Sequence, residues 1–258
     1  MATRVRVGAG WAVAILAWAG FGWIGASGVG AETLPAVIVK SVPTTKRVAA
    51  LTFDDGPSPK WTSDILRILH QNHVKATFFV VGKEAARFPQ YLQEEIKAGM
   101  EIGSHGYRHR TLRGLSETAV EQDISQNAST LEALGARPLR LYRLPGGGSD
   151  ATALRVLGRL GYTVIGWSVD PRDWRHIYSA QQMTRMVDKQ IRPGGIIIFH
   201  DGPNSSQATV DAVANIIPQL KQEGYRLVTV GQLLKNAIRS GGRLPVAAQG
   251  AESAPARH

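Results

Sequence analysis

His105 and His109, four residues apart in the run His105-Gly106-Tyr107-Arg108-His109, place two imidazoles on one side of a helical turn or a tight loop. That spacing suits two ligands of one metal ion. Asp54 and Asp55, in the segment TFDDGPS, form the second chemical element. Adjacent carboxylates at the end of an apolar run repel each other and are costly to desolvate unless a cation neutralises one, so the pair asks for a metal ion or an arginine. A helix N-cap or an Asp-Gly turn explains one of these aspartates but not both. A metal ligand beside a general base accounts for the pair. Other reactive side chains also follow apolar runs: Arg143 after Leu139 to Tyr142, Asp170 and Asp173 after TVIGWSV, His200 and Asp201 after Ile196 to Phe199. A second histidine pair, His70 and His73, has no carboxylate cluster beside it and reads as structural or solvated.

Composition narrows the ligand chemistry. The 258 residues include no cysteine, which excludes thiolate ligation and disulfides and leaves seven histidines and the carboxylates to hold a metal. The net charge is +10, but the basic residues are scattered and no run of five is interleaved with aromatics, which argues against nucleic acid. What remains is a diffuse positive field that favours an anionic surface such as a bacterial envelope. Hydrophobic residues at 43% and charged residues at 19% exclude a disordered or fibrous chain. The length fits one α/β catalytic domain with tails, expected to act as a monomer.

Scattered reactive groups converge only if a scaffold brings them together. Short apolar runs over 48–53, 76–81, 163–169 and 195–200 alternate with amphipathic stretches over 62–71, 90–99, 117–135 and 150–161. Strand-then-helix repetition implies a parallel sheet with helices outside, and the near-continuous apolar run Ile196 to Phe199 implies burial on both faces. In a closed or nearly closed parallel barrel the strand C-termini share one face, where all the reactive groups named above would meet. Arg4 and Arg6 precede an uncharged stretch from Val7 to Ala31 that ends in Val29-Gly30-Ala31. Residues 1–31 therefore read as a signal peptide or, uncleaved, as an N-terminal membrane anchor, and either places the catalytic part in the envelope, the periplasm or the medium. Residues 32–45 read as a linker, 46–238 as the catalytic domain, and 239–258, rich in Gly, Ala, Ser and Pro, as a disordered tail.

Five segments in order, TFDDGPS, SHGYRH, LYRLPGG, WSVDPRDW and IIIFHDG, resemble the motifs of the polysaccharide deacetylase family, the NodB-homology domains of carbohydrate esterase family 4. The resemblance spans roughly 45 to 235 and implies a distorted, incomplete (β/α) barrel. It implies hydrolytic deacetylation of N-acetylglucosamine units in chitooligosaccharide or peptidoglycan. O-deacetylation of acetylxylan is the alternative within enzymes, and a carbohydrate-binding homologue without catalysis is the alternative outside them. Position by position, it implies Asp55, His105 and His109 as ligands of a divalent metal, zinc by default with cobalt, nickel or manganese as alternatives. Asp54 matches the general base and Arg143 the residue that orients it; His200 matches the general acid and Asp173 the carboxylate that tunes it. Trp174 matches an aromatic wall of the substrate groove and Ile198 the pocket around the acetyl methyl. Pro145 and Gly146 fall at the substrate, with the backbone N–H after Pro145 placed to bind the oxyanion. Two positions depart from the family pattern. Gly146 stands where an aromatic residue is common, which leaves one groove wall unspecified, and Gly106 stands where Ser or Thr often braces the loop after the first histidine.

Overall fold

The computed structural model describes residues 34–239; the expected leader over 1–31 and the tail after Arg239 lie outside the described residues. The apolar runs form eight parallel strands: β1 (Ile38–Val39), β2 (Val48–Asp54), β3 (Thr77–Val80), β4 (Glu101–Ser104), β5 (Leu141–Tyr142), β6 (Thr163–Ile165), β7 (Ile196–His200) and β8 (Arg226–Val228). Between and after them lie α1 (Trp61–Gln71), α2 (Gly82–Arg87), α3 (Pro89–Lys97), α4 (Glu117–Ala133), α5 (Ala151–Arg159), α6 (Ala180–Gln190), α7 (Gln207–Gln222) and α8 (Val230–Arg239). The strand order is β1-β6-β5-β4-β3-β2-β7, with β8 beside the first residues of β2. Isolated bridges, Ser41 with Gly195 and Val169 with Ile197, bring the segments after β1 and β6 against β7. The sheet curls into a half-barrel of the distorted, incomplete (β/α) type expected from the sequence.

Period-two alternation decides what each strand presents to each face. On β2 and β7, Leu51, Phe53, Ile197 and Phe199 point outward into the main core with Ile65 and Leu69 of α1 and Val213 and Ile217 of α7. Phe53 stacks on Phe78 with centroids 5.0 Å apart and on Phe199 at 6.3 Å, which locks three adjacent strands together. Ala50 and Ile196 point the other way, into the barrel interior with Phe79, Leu141 and Ile165. By the same alternation Thr52, Asp54, Ile198 and His200 face inward, and Asp54 lies directly opposite His200 in the β2–β7 register.

The segment read as a linker over 32–45 is in part a strand. Ile38–Val39 pairs with β6, and Ala36, Val39 and Val42 are buried. A two-residue edge strand is too short for alternation to reveal, and it forms because β6 offers an open edge beside an apolar gap. No described helix is long and apolar enough to cross a membrane.

Candidate active site

The site begins where β2 and β7 end. After Asp54 the chain turns sharply, with Asp55 in the left-handed region at φ 75. The turn interlocks with the one after β7 because both carry glycine. A Cβ at Gly56 would lie 2.3 Å from the Asp201 carboxylate, and one at Gly202 would lie 2.4 Å from the Asp55 side chain. Both DG dipeptides are therefore steric requirements of the same close approach. Asp201 ties the layer beneath: its carbonyl accepts the Ser58 hydroxyl at 2.6 Å and its carboxylate accepts the Thr62 hydroxyl. Burial pushes the Asp201 carboxyl up to about 7. The N-cap of α7 is Ser206, so Asp201 fastens the two turns to each other and caps no helix.

Asp55, His105 and His109 converge. The Nε2 atoms of His105 and His109 lie 3.3 and 3.0 Å from Asp55 Oδ1, and one donor atom from each residue falls within 4.8 Å of the others. His105 Nδ1 sits 2.8 Å from the Arg143 carbonyl. A carbonyl only accepts, so the ring proton is assigned to Nδ1 and the Nε2 lone pair is turned toward Asp55. Asp55 Oδ1 is buried yet receives no hydrogen bond of normal geometry. A buried carboxylate oxygen with two ring nitrogens gathered around it fits a divalent cation, and a bond such as that of His105 to a carbonyl is the outer-shell contact that would fix a ligating imidazole. Burial alone would raise the Asp55 carboxyl, but the two imidazoles outweigh it and hold it well below the usual carboxylate range. Contact with Asp55 in turn raises His109.

Asp54 and Arg143 form the floor. Arg143 is completely buried, and its Nη1 donates to Asp54 Oδ1 and to Thr52 Oγ1, each at 2.7 Å. Nε and Nη2 donate to the carbonyls of Ile165 and Gly166 at 3.2 Å, and the guanidinium lies 4.1 Å from the centroid of the Phe79 ring. Burial lowers the Arg143 pKa, with Asp54 opposing the shift. Removing either partner would strand the other charge in the interior. The second oxygen of Asp54 faces the ligand cluster, 3.9 Å from His105 Nε2.

Across from this floor, Asp173 grips His200 twice. One carboxylate oxygen is 2.9 Å from Nδ1 of the ring and the other accepts the His200 backbone N–H at 2.9 Å. Asp173 lies in a single 3-10 turn whose flanking residues, Arg172 and His176, are both left-handed. Burial pulls the His200 pKa down, but the bond and charge of Asp173, together with Asp54 and Asp55, outweigh it and raise the group to about 9.

These groups open onto one cavity of about 410 Å³. Of the residues the sequence singled out, Asp54, Asp55, His105, His109, Asp173 and His200 line it, with Trp174, Ile198 and Gly146 around them. Arg143 stands behind Asp54, and Pro145 is buried just outside the lining, leaving Gly146 as the residue of that pair that faces the cavity. Several lining residues were not assigned from sequence: Leu144, Gly147, Trp167, Asp170, His176, Asn204 and Ser205. Trp167 lies against Gly147, where a Cβ would come 2.7 Å from its ring, while the space beside Gly146 is open. Its signal lay within WSVDPRDW, whereas Asn204 and Ser205 belong to no motif.

Comparison with known proteins agrees with this geometry. The profile of the family described as polysaccharide deacetylase matches residues 41–165. The chain is 37% identical over 196 residues to a peptidoglycan-N-acetylglucosamine deacetylase of Bacillus cereus (strain ATCC 14579), spanning 75% of this chain and 91% of the relative. It is 32% identical over 199 residues to a chitooligosaccharide deacetylase of Bradyrhizobium sp. (strain ANU 289), spanning 72% and 90%. A solved peptidoglycan N-acetylglucosamine deacetylase bound to 4-naphthalen-1-yl-N-oxidanyl-benzamide superposes with a TM-score of 0.73 at 35% identity, covering 76% of this chain and 92% of that one. The chain thus belongs to the polysaccharide deacetylase family and is a hydrolase of that class. A CE4 family pseudoenzyme from Bacillus anthracis superposes with a TM-score of 0.72 at 24% identity, covering 78% and 70% of the two chains. That likeness shows the fold alone, so what the chain does is argued from its site.

Proposed function

We propose that this chain removes acetyl groups from N-acetylglucosamine units of a bacterial envelope glycan, with Asp55, His105 and His109 holding a divalent metal. The observation that carries the reading is the gathering of a buried, arginine-held carboxylate, a carboxylate-held imidazole and that ligand cluster in the lining of one cavity. The N-acetyl amide is a poor electrophile with a poor leaving group. A divalent cation, zinc by default, lowers the pKa of a coordinated water to about 7 and polarises the acetyl carbonyl.

The rest falls to the protein. Asp54, held and aimed by the Arg143 guanidinium, takes the proton of the attacking water. His200, charged at neutral pH because Asp173 holds its proton, gives one to the departing nitrogen. Acid and base steps of this kind each contribute on the order of 10²–10⁴-fold. The N–H of Gly146 donates to the developing oxyanion, and the apolar side chain of Ile198 receives the acetyl methyl. Trp174, 54% exposed at the rim, offers a ring face to a sugar. An export signal or anchor over 1–31 would deliver the enzyme to its substrate.

Acetate release from zinc-loaded protein on peptidoglycan fragments, chitooligosaccharides and acetylated xylan tests the proposal. Release from the first two is expected. Release from xylan alone would make the chain an O-deacetylase, and no release from any of the three would make it a binding homologue.

A further inference from the structure

The loop between the two histidine ligands, residues 106–108, is fixed on both sides by polar contacts. Its carbonyls face α2: Gly106 O accepts the Gly82 N–H at 3.1 Å and Tyr107 O accepts the Lys83 N–H at 2.9 Å. These are backbone bonds at a helix start, where free N–H groups need acceptors whatever the sequence. On the other side the partner is a side chain. Asp123 of α4 accepts the Tyr107 N–H at 3.0 Å through Oδ2, while Oδ1 lies 3.6 Å from Arg110 Nε.

Asp123 is an unexpected residue at its position. It is 3% exposed in the middle of a 17-residue helix, where aspartate is a poor helix former and a buried carboxylate carries a large desolvation cost. One turn further along the helix, Asn127 donates to Ser104 Oγ at 2.7 Å and to the Val80 carbonyl at 3.2 Å, fixing the strand end just before His105. Asp123 and Asn127 together make a polar stripe that faces the ligand segment. Gly106 is cut to fit: a Cβ there would lie 2.7 Å from Asp123 Oδ2 and 3.0 Å from the Tyr142 hydroxyl, at a φ of +74. The carboxylate occupies the space where a side chain at 106 would sit, and it supplies the brace that such a side chain cannot.

We propose that Asp123 is the positioning residue that sets the His105–His109 separation, through the Tyr107 N–H, with Gly106 as its steric complement. The inference rests on the reading of Asp55, His105 and His109 as metal ligands. Asp123 touches no ligand directly and acts through the loop between two of them.

The test compares full-length wild type, Asp123→Ala and Asp123→Asn. The readouts are the zinc dissociation constant by competition with a chromogenic chelator, the thermal midpoint of the metal-free protein, and the zinc concentration giving half-maximal acetate release. Loss of an outer-shell contact weakens metal binding by about 10–100-fold. Asp123→Ala is expected to show that loss, with the zinc requirement for acetate release moving by the same factor. Asp123→Asn, whose amide oxygen still accepts the Tyr107 N–H, is expected to recover most of it. If the alanine variant does not fold, Asp123→Ser, too short to reach Tyr107, is held to the same expectation. Wild-type zinc affinity in the alanine or serine variant, with only the metal-free midpoint lowered, would make Asp123 a purely structural residue and overturn the proposal. An asparagine variant as weak as alanine would overturn it too, by placing the effect in the charge. Failure of the wild type to bind zinc would remove the metal reading itself, and this proposal with it.

Discussion

Two carboxylate–imidazole systems line the same cavity, and they combine the same two chemical groups in different proportions. On one side a single carboxylate, Asp55, lies against two imidazoles, carried on loops, with His109 at 43% side-chain exposure. On the other a single imidazole, His200, sits on a strand end with a fully buried Asp173 bonded to both its ring and its backbone. On the first side contact with two imidazoles holds the carboxylate below its usual range; on the second the imidazole is pushed up to about 9. Two imidazoles on one carboxylate make a group that could hold a cation, and one imidazole on one buried carboxylate favours a bound proton. The difference lies in stoichiometry and burial, not in residue type.

Breaking the first side should have the largest effect. Asp55→Ala and His105→Ala each remove one of the three proposed ligands, and both are expected to abolish tight metal binding, read as metal content after dialysis. Retention of a full equivalent of metal by either variant would refute the ligand set. Asp54→Asn keeps the shape and removes the proposed base. It should leave metal content intact while kcat falls by about 10²–10⁴-fold. Near-normal turnover in that variant would place the base elsewhere.

The second side should respond in pH rather than in metal. Because the His200 pKa is raised from 6.5 to about 9, the protonated acid is present at neutral pH, and its contribution is lost as pH rises through about 9. Removing the Asp173 charge takes away the strongest upward influence. In Asp173→Asn the alkaline limb of the kcat profile should therefore move down toward the ordinary histidine value, leaving metal content unchanged. A limb that stays in place would mean that another group donates the proton.

The floor of the site was legible in the sequence because strand ends encode it. Asp54 and His200 each end a near-continuous apolar run, a parallel sheet brings such ends to one face, and the β2–β7 register sets the two opposite each other. The four-residue spacing of His105 and His109 is equally local. What the sequence concealed depends on distant packing. The edge strand Ile38–Val39 carries no periodic signal of its own and exists because β6 needs a neighbour. Trp167 reads as one more apolar residue until its ring is seen to line the cavity against Gly147. Asp123 lies in a helix whose amphipathic pattern is weak for a reason that only the loop opposite reveals.

The smallest expected effect tests whether rim and floor are separable. Trp174 projects from the 3-10 turn that carries Asp173, yet it is 54% exposed, while Asp173 beside it is 3% exposed. The aspartate is locked by two bonds to His200, and the indole stands open to solvent with the Arg175 guanidinium 5.8 Å from its ring centroid. Replacing Trp174 with Ala removes a stacking face worth about 1 kcal/mol, so KM for a chitooligosaccharide should rise by about 5-fold with kcat nearly unchanged. A matching fall in kcat would show that the indole also holds the turn, and through it the proton on His200. Rim and acid would then be one device, and glycan preference could not be altered there without altering the chemistry.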